Sequence, residues 1–268
     1  VAERIGPVYR DLVVARVRSQ LAYRASFALD CLSQVFAQAT ELVVVLVLFG
    51  RITALGGFSV DEVLLIYALA STAFGLADLF AGQLDHLPRF IRTGTFDVLL
   101  LRPLGTLPQV MVSDLQLRRV GRIAVGLAVL GYALTHADVH WTPWTALLAL
   151  IAPVAGAVIF GSIWVLACSV CFWLVEGREL ANTVTYGSSL FTSYPLTVYP
   201  ASLRRLLGYV VPGAFVSYYP ALALLDRPDP LGAPAWLCWL SPVVAAGAAA
   251  GAGATWRFAV RHYRGTGS

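Results

Sequence analysis

Residues 144–175 read WTALLALIAPVAGAVIFGSIWVLACSVCFWLV, 32 consecutive residues without a formally charged side chain. A helix needs about 20 predominantly apolar residues to cross a bilayer core. The run therefore predicts a membrane-spanning helix with length to spare, tilted or kinked near Pro153 at its outer end. Outward from it, five more apolar runs read as spans: residues 26–49, 63–84, about 119–137, about 180–199 and about 236–256. The third is short, and the arginines at its start are expected to snorkel toward headgroups. The fold class expected is all-α: one polytopic transmembrane domain over residues 1–268, with six transmembrane helices.

Composition supports this reading. Of the 268 residues 58% are apolar and 13% charged, with a mean hydropathy of +0.73, against about 25% charged in a soluble domain. A soluble enzyme is not expected, and a disordered chain is excluded. A net charge of +4 is too small to argue for nucleic acid. All 19 basic residues are arginines. A chain without lysine has no Walker A lysine, no Schiff-base lysine and no kinase lysine. If ATP drives this protein, another chain must bind it. The four cysteines form no disulfide framework, and Cys168-x-x-Cys171 reads as two small core residues in an apolar run. The first 25 residues are too charged for a secretory leader.

Arginine counts set the orientation. With six spans, 15 of the 19 arginines fall on the side that holds both termini and 4 on the other. Both termini are therefore expected in the cytoplasm. Tryptophans agree, with Trp141, Trp144, Trp236 and Trp239 at outer ends and Trp173 and Trp256 at inner ends.

Three segments are neither spans nor plain loops. Residues 7–24 alternate arginine with Val, Leu and Tyr, as an amphipathic interfacial helix does. Residues 85–122 make a long basic cytoplasmic connection. Residues 200–225 lie outside yet are strongly apolar, and Pro212, Gly213 and Pro220 interrupt them. A re-entrant pair of short helices buried in protein at membrane depth fits that pattern.

Polar residues within spans are functional candidates. Asp30, Gln34, Gln38 and Glu41 recur at spacings of four, four and three and share one helical face. Ser71, Asp78 and Asp85 recur every seven residues, with Gly75 and Gly82 beside them. Both stripes are expected to line a polar path or a subunit contact, the alternative being hydrogen bonding within one bundle. As path residues, Glu41 and Asp78 would matter more to transport than to assembly. Gly247 and Gly251 form a G-x-x-x-G, expected to serve close packing within the chain. His136, Asp138 and His140 are too few for a metal site. Glu176, Arg178 and Glu179 read as a solvated cluster.

Residues 92–109 read RTGTFDVLLLRPLGTLPQ, and residues 211–222 read VPGAFVSYYPAL. A Gly94, Asp97, Arg102-Pro103-Leu104 block after the second of six spans resembles the permease subunits of ABC type-2 exporters, closest to the ABC-2 family transporter proteins. The second block resembles that branch's outer segment before the last span. The resemblance implies a permease that pairs as a homo- or heterodimer, each half docking a separate cytoplasmic ATPase. Two ATPase copies per complex would then bind ATP and Mg, and this chain no cofactor. It also implies that the amphipathic N-terminal helix and the 85–122 loop contact the ATPase, while substrate passes between the halves.

Within the loop, Pro103 and Pro108 stiffen the chain and Gly94 and Gly105 permit sharp turns. Phe96, with Phe90 beside it, is expected to anchor in a pocket on the ATPase, while Arg89, Arg92 and Arg102 pair with acidic groups there, Asp97 lying between them. The path or subunit contact is expected at Gln34, Gln38, Glu41, Ser71 and Asp78. The function expected is the membrane subunit of an ATP-driven exporter in the cell membrane, itself not an enzyme, in contact with lipid and not nucleic acid. The substrate leans toward an amphipathic or hydrophobic small molecule. The outer aromatics Tyr194, Tyr199, Tyr209, Phe215, Tyr218 and Tyr219 permit stacking, and no basic stripe crosses the membrane. The main rival is a proton-coupled secondary transporter using Glu41 or Asp78, which should show inverted repeats and broken helices. A polytopic membrane enzyme would need a catalytic polar cluster at one interface, and none of the usual ones is present.

Overall fold

A computed structural model of the chain describes residues 14, 18, 24–113, 116–174 and 177–263. The expected interfacial helix over 7–24, and the Glu176 of the charged cluster, lie outside the described residues apart from single positions.

The regular elements among the described residues are all helices. A lone pairing of Leu55 with Phe58 closes the turn after the first helix. Helix α1 covers Arg24–Phe49. Helix α2 covers Val60–Ala81, started by a capping box in which Ser59 and Glu62 exchange side-chain-to-backbone bonds. A tight turn over Gly82–His86 leads into three short helices, α3 Leu87–Arg92, α4 Thr95–Leu100 and α5 Thr106–Val112. Then come α6 Val120–His136, α7 Pro143–Ser169, α8 Gly177–Thr192, α9 Ala201–Arg205, α10 Tyr218–Leu224 and α11 Ser241–His262. Thr142 caps α7 and Pro143 occupies its first turn, where a missing N–H costs nothing.

Four helical stretches are long and apolar enough to cross a membrane. They contain α1, α2, α7 and α11, where the first, second, fourth and sixth spans were expected. The expected third span is the 17-residue α6, about 25 Å long at 1.5 Å per residue. The expected fifth is the 16-residue α8. It stops at Thr192 rather than near 199, because Pro195 follows and its Ser and Thr hydroxyls turn back onto the helix's own carbonyls.

Helix α2 is the axis of the bundle. In its most apolar window 78% of residues are buried, against 11% for α1, which lies at the edge with Leu29, Phe36 and Val47 outward. Helices α6 and α7 flank α2, and two glycines set how close they come. A Cβ on Gly126 of α6 would lie 2.8 Å from the Thr72 hydroxyl, and one on Gly156 of α7 would lie 2.8 Å from the Ala73 methyl. Small residues at crossings are how apolar helices pack without a hydrophobic drive. Phe74 of α2 fixes the same layer, edge-on to Phe160 at 5.3 Å and stacked on Trp164 at 5.4 Å.

The G-x-x-x-G of α11 does not work this way. A Cβ at Gly247 or Gly251 would meet nothing within 4 Å, so this face is open and the expected close packing within the chain is not made. Trp256, expected as an interface anchor, is only 3% exposed. Residues 200–225 form two helical pieces separated at Val211 and Pro212. The second, from Gly213 through Leu224, is buried along its whole length. Ser217 donates to the Thr192 carbonyl at 2.6 Å, and the His140 N–H donates to the Leu224 carbonyl at 2.9 Å. The segment is thereby tied to the end of α8 and to the loop before α7.

Candidate functional site

Among the described residues, most of those singled out in the sequence fall in two constellations, one within the bundle and one at the end where α2 continues into the short helices.

The first is a charged seam between α1, α2 and α6. The Arg119 Nε lies 3.3 Å from Asp78 Oδ1, with both side chains almost entirely buried, and Arg119 also donates to the Asp78 carbonyl. Arg122 donates from Nε to Gln38 Oε1 at 2.7 Å. Its Nη2 lies 3.4 Å from Glu41 Oε1, and its guanidinium rests 4.7 Å over the Phe74 ring. Gln38 in turn donates to the Tyr67 hydroxyl and to Glu41. An unpaired charge at membrane depth is costly, and the seam pairs two arginines with two carboxylates. The arginines at the start of α6 therefore do not snorkel to headgroups as expected. They turn inward because partners on α1 and α2 wait there.

The two polar stripes thus meet through α6, which the sequence reading did not bring to them. Gln34 lies half-buried beside Gly121, and Ser71 is buried. Asp85 is half-buried. It accepts from the Trp164 indole at 2.7 Å and from the Tyr186 hydroxyl at 3.5 Å.

The second constellation is the stretch from Gly82 to Val112. Gly94 sits at φ +68, a left-handed conformation that breaks α3 from α4 and that side chains resist. The Gln109 amide donates to the Leu99 carbonyl at 3.1 Å and to the Leu104 carbonyl at 3.0 Å, which closes the turn over residues 101–105. The Trp256 indole donates to the Thr106 hydroxyl at 3.0 Å and ties α5 to α11.

Phe96 has no exposed surface. Its ring meets Phe172 at 5.1 Å, Tyr263 at 5.2 Å and Trp256 at 6.4 Å, all as edge contacts. It therefore cannot be the residue that enters a partner's pocket. It is an anchor inside the chain, holding α4 onto the end of α7 and the end of α11. Phe90 is likewise partly buried against the core, with the Arg89 guanidinium 5.9 Å from its ring.

The outward surface of the stretch belongs to other residues. Arg89, Arg92, Asp97, Arg102 and Pro103 are exposed. Between them lie Val98 at 52%, Leu100 at 41% and Leu101 at 86% exposure. Leu101, beside Arg102 and Pro103, is the apolar tip that the sequence reading passed over. The available signal was its place at the end of a three-leucine run immediately before Arg-Pro.

At the opposite end of α2 a clasp holds the turn after α1. Arg227 donates to both Glu62 carboxylate oxygens at 2.9 Å, donates to the Gly57 carbonyl at 2.7 Å, and lies 4.3 Å over the Phe58 ring. The His136 ring stacks on Tyr132 at 4.0 Å. Among the described residues no three His, Cys, Asp or Glu side chains converge as a metal site.

A family model described as ABC-2 family transporter protein matches residues 35–267. No curated protein and no solved structure matches the chain.

Proposed function

The chain belongs to the ABC-2 transporter family, and on that premise we propose that it is the membrane-spanning permease subunit of an ATP-driven exporter. The chain is a transport subunit and not the catalyst. Hydrolysis falls to a separate ATPase carrying ATP and Mg, since a chain without lysine has no P-loop lysine with which to hold phosphates. Two such permeases, as homo- or heterodimer, and two ATPase chains make the working complex in the cell membrane. Six crossings, with α6 and α8 completing the four long ones, put both termini in the cytoplasm. The α9–α10 region then enters the membrane from outside and returns.

The observation that carries the reading is the build of the 85–122 connection. A loop that transmits a push must be stiff inside and adhesive outside. This one is bolted inward by Phe96, Gln109 and Thr106, and outward it presents Val98, Leu100 and Leu101 among Arg92, Asp97 and Arg102. An apolar tip rimmed by charge is the usual form of a docking anchor. Force on Leu101 would pass through α4 to Phe96, and from there to α11 and to Phe172 beyond α7. Through α3 and the Gly82–His86 turn it would reach α2, which carries the Asp78–Arg119 pair. The substrate class that best suits the seam is amphipathic or hydrophobic, because the arginines at mid-bundle are already neutralised and offer no positive track for a polyanion.

The rival, a proton-coupled carrier using Glu41 or Asp78, is disfavoured by the same seam. Protonating Asp78 would leave Arg119 buried without its counter-ion. The test is Leu101→Asp. The variant is expected to insert and elute as the wild type does, yet to lose co-purification of the ATPase by at least tenfold. Undiminished ATPase capture by Leu101→Asp together with Arg102→Glu would remove this surface from the docking assignment. Transport that persists without any ATPase would favour the rival.

A further inference from the structure

Apart from the charged seam, two cavities adjoin each other. One, of about 490 Å³, lies between α2, α7, α11 and α5, with Phe80, Met111, Val154 and Val158 in its walls. The other, of about 510 Å³, lies along the last turns of α11 beside the start of α5, with Thr106, Trp256, Arg257 and Arg261 around it. Leu107, Ala249 and Gly253 border both, so the apolar cavity adjoins the basic one along this shared wall. At about 100° per residue Phe80 lies roughly 200° around α2 from Asp78; Ala81, also in the wall, lies about 60° from it, yet none of the described seam residues borders either cavity.

The two ends ask for different chemistry. Phe80, Val154 and Val158 are exposed on the groove; at membrane depth such a surface takes hydrocarbon. Arg257 and Arg261 lie one turn apart on α11, both exposed, and among the described residues neither pairs with a carboxylate. The Arg257 Nε donates to the Gly253 carbonyl at 3.1 Å, which leaves both terminal nitrogens as donors. Among the described residues, no acidic side chain borders either cavity. A hydrocarbon tail joined to an anionic head satisfies both ends at once, and basic pockets between membrane helices recognise such headgroups.

We propose that this composite groove binds an anionic phospholipid, with an acyl chain between α2, α7 and α11 and the phosphate on Arg257 and Arg261. Their combined volume, about 490 Å³ plus about 510 Å³, is ample for a ligand, sites being typically about 300–1,000 Å³. The proposal needs only that the bundle sits in a bilayer. It stands or falls independently of the ATPase docking surface.

The experiment titrates the purified full chain, in a mild detergent, with dioleoyl phosphatidylglycerol and separately with dioleoyl phosphatidylcholine, counting retained lipids by native mass spectrometry. Phosphatidylglycerol is expected to bind at least tenfold more tightly. Arg257→Gln with Arg261→Gln should weaken it by about 25-fold, at about fivefold per arginine beside an anionic surface, to the level of phosphatidylcholine. Gly253→Leu fills the neck shared by the two cavities. A Cβ there meets nothing within 4 Å, so the side chain has room to enter; the variant is expected to elute as the wild type does and to weaken both lipids. Equal retention of the two lipids by the wild type would overturn the proposal. So would unchanged phosphatidylglycerol binding in either variant, or displacement by tailless glycerophosphate at equal concentration. Quantitative cross-linking between chains through a cysteine at position 253 would also overturn it, by assigning the groove to a second copy.

Discussion

Asp78→Ala should unfold this protein more readily than any other single change in the polar stripes. The Asp78 and Arg119 side chains are 13% and 9% exposed and their charged atoms lie 3.3 Å apart. Removing the carboxylate strands a guanidinium inside the bundle. Breaking one partner of a buried pair costs about 3–5 kcal/mol. The bond from Arg119 to the Asp78 backbone carbonyl survives the substitution, which places the expected loss toward about 3 kcal/mol. At about 2–4 °C per kcal/mol for a domain of this size, the apparent melting temperature should fall by roughly 6–12 °C. Thermal challenge followed by size-exclusion chromatography in detergent reads this directly. Arg119→Leu in the same chain removes the stranded charge, and the double variant should recover most of the loss. An Asp78→Ala protein that melts within 2 °C of the wild type, or a double variant no better than the single, would refute the pairing argument. A fall of this size would show that Asp78 serves assembly, by holding two helices together, and not transport alone.

Gly126→Leu should be among the most damaging glycine changes, because its Cβ would sit 2.8–3.1 Å from Thr72 side-chain and backbone atoms. Overpacking of this kind costs about 1–3 kcal/mol, whereas Gly131→Leu, with nothing within 4 Å, should melt as the wild type does. Phe96→Ala should open a cavity between α4, α11 and the 170–172 turn and cost about 3–5 kcal/mol, visible as faster proteolysis within residues 85–112; a silent Phe96→Ala would show that the loop is held by other means. In a cysteine-free chain, cysteines at positions 97 and 138 should label from the cytoplasmic and the outer side respectively, and the reverse pattern would contradict the six-crossing topology.

The long helices were legible because a run such as residues 144–175 has only one physical solution in a membrane. The end of α8 was less so. Its apolar pattern continues past Thr192, and Pro195, though visible in the sequence, does not by itself say at which residue before it the helix stops. Pairing across the bundle was not legible. Asp78 and Arg119 are 41 residues apart, and an arginine before an apolar run looks the same whether it will snorkel outward or find a carboxylate. The loop failed in one instructive place. Phe96 stands between Gly94, Asp97 and the arginines, so it reads as exposed. The rings that bury it, Phe172, Trp256 and Tyr263, come from distant parts of the chain. Leu101, reading as one more leucine of an apolar run, is the residue left outside. Likewise the G-x-x-x-G at Gly247 and Gly251 states that a close approach is possible, and the fold leaves it unused within the chain.

The central claim is that the Leu101 edge of the 85–122 connection docks the ATPase that powers transport. A single cysteine at position 101, in an otherwise cysteine-free chain expressed in its native cell, tests it directly with a short bifunctional maleimide–photoreactive reagent. The account predicts one dominant cross-linked product joining this chain to a cytoplasmic ATPase chain, which a cysteine at position 138 does not form. Cross-links from position 101 to lipid alone, or the same ATPase product from position 138, would contradict it.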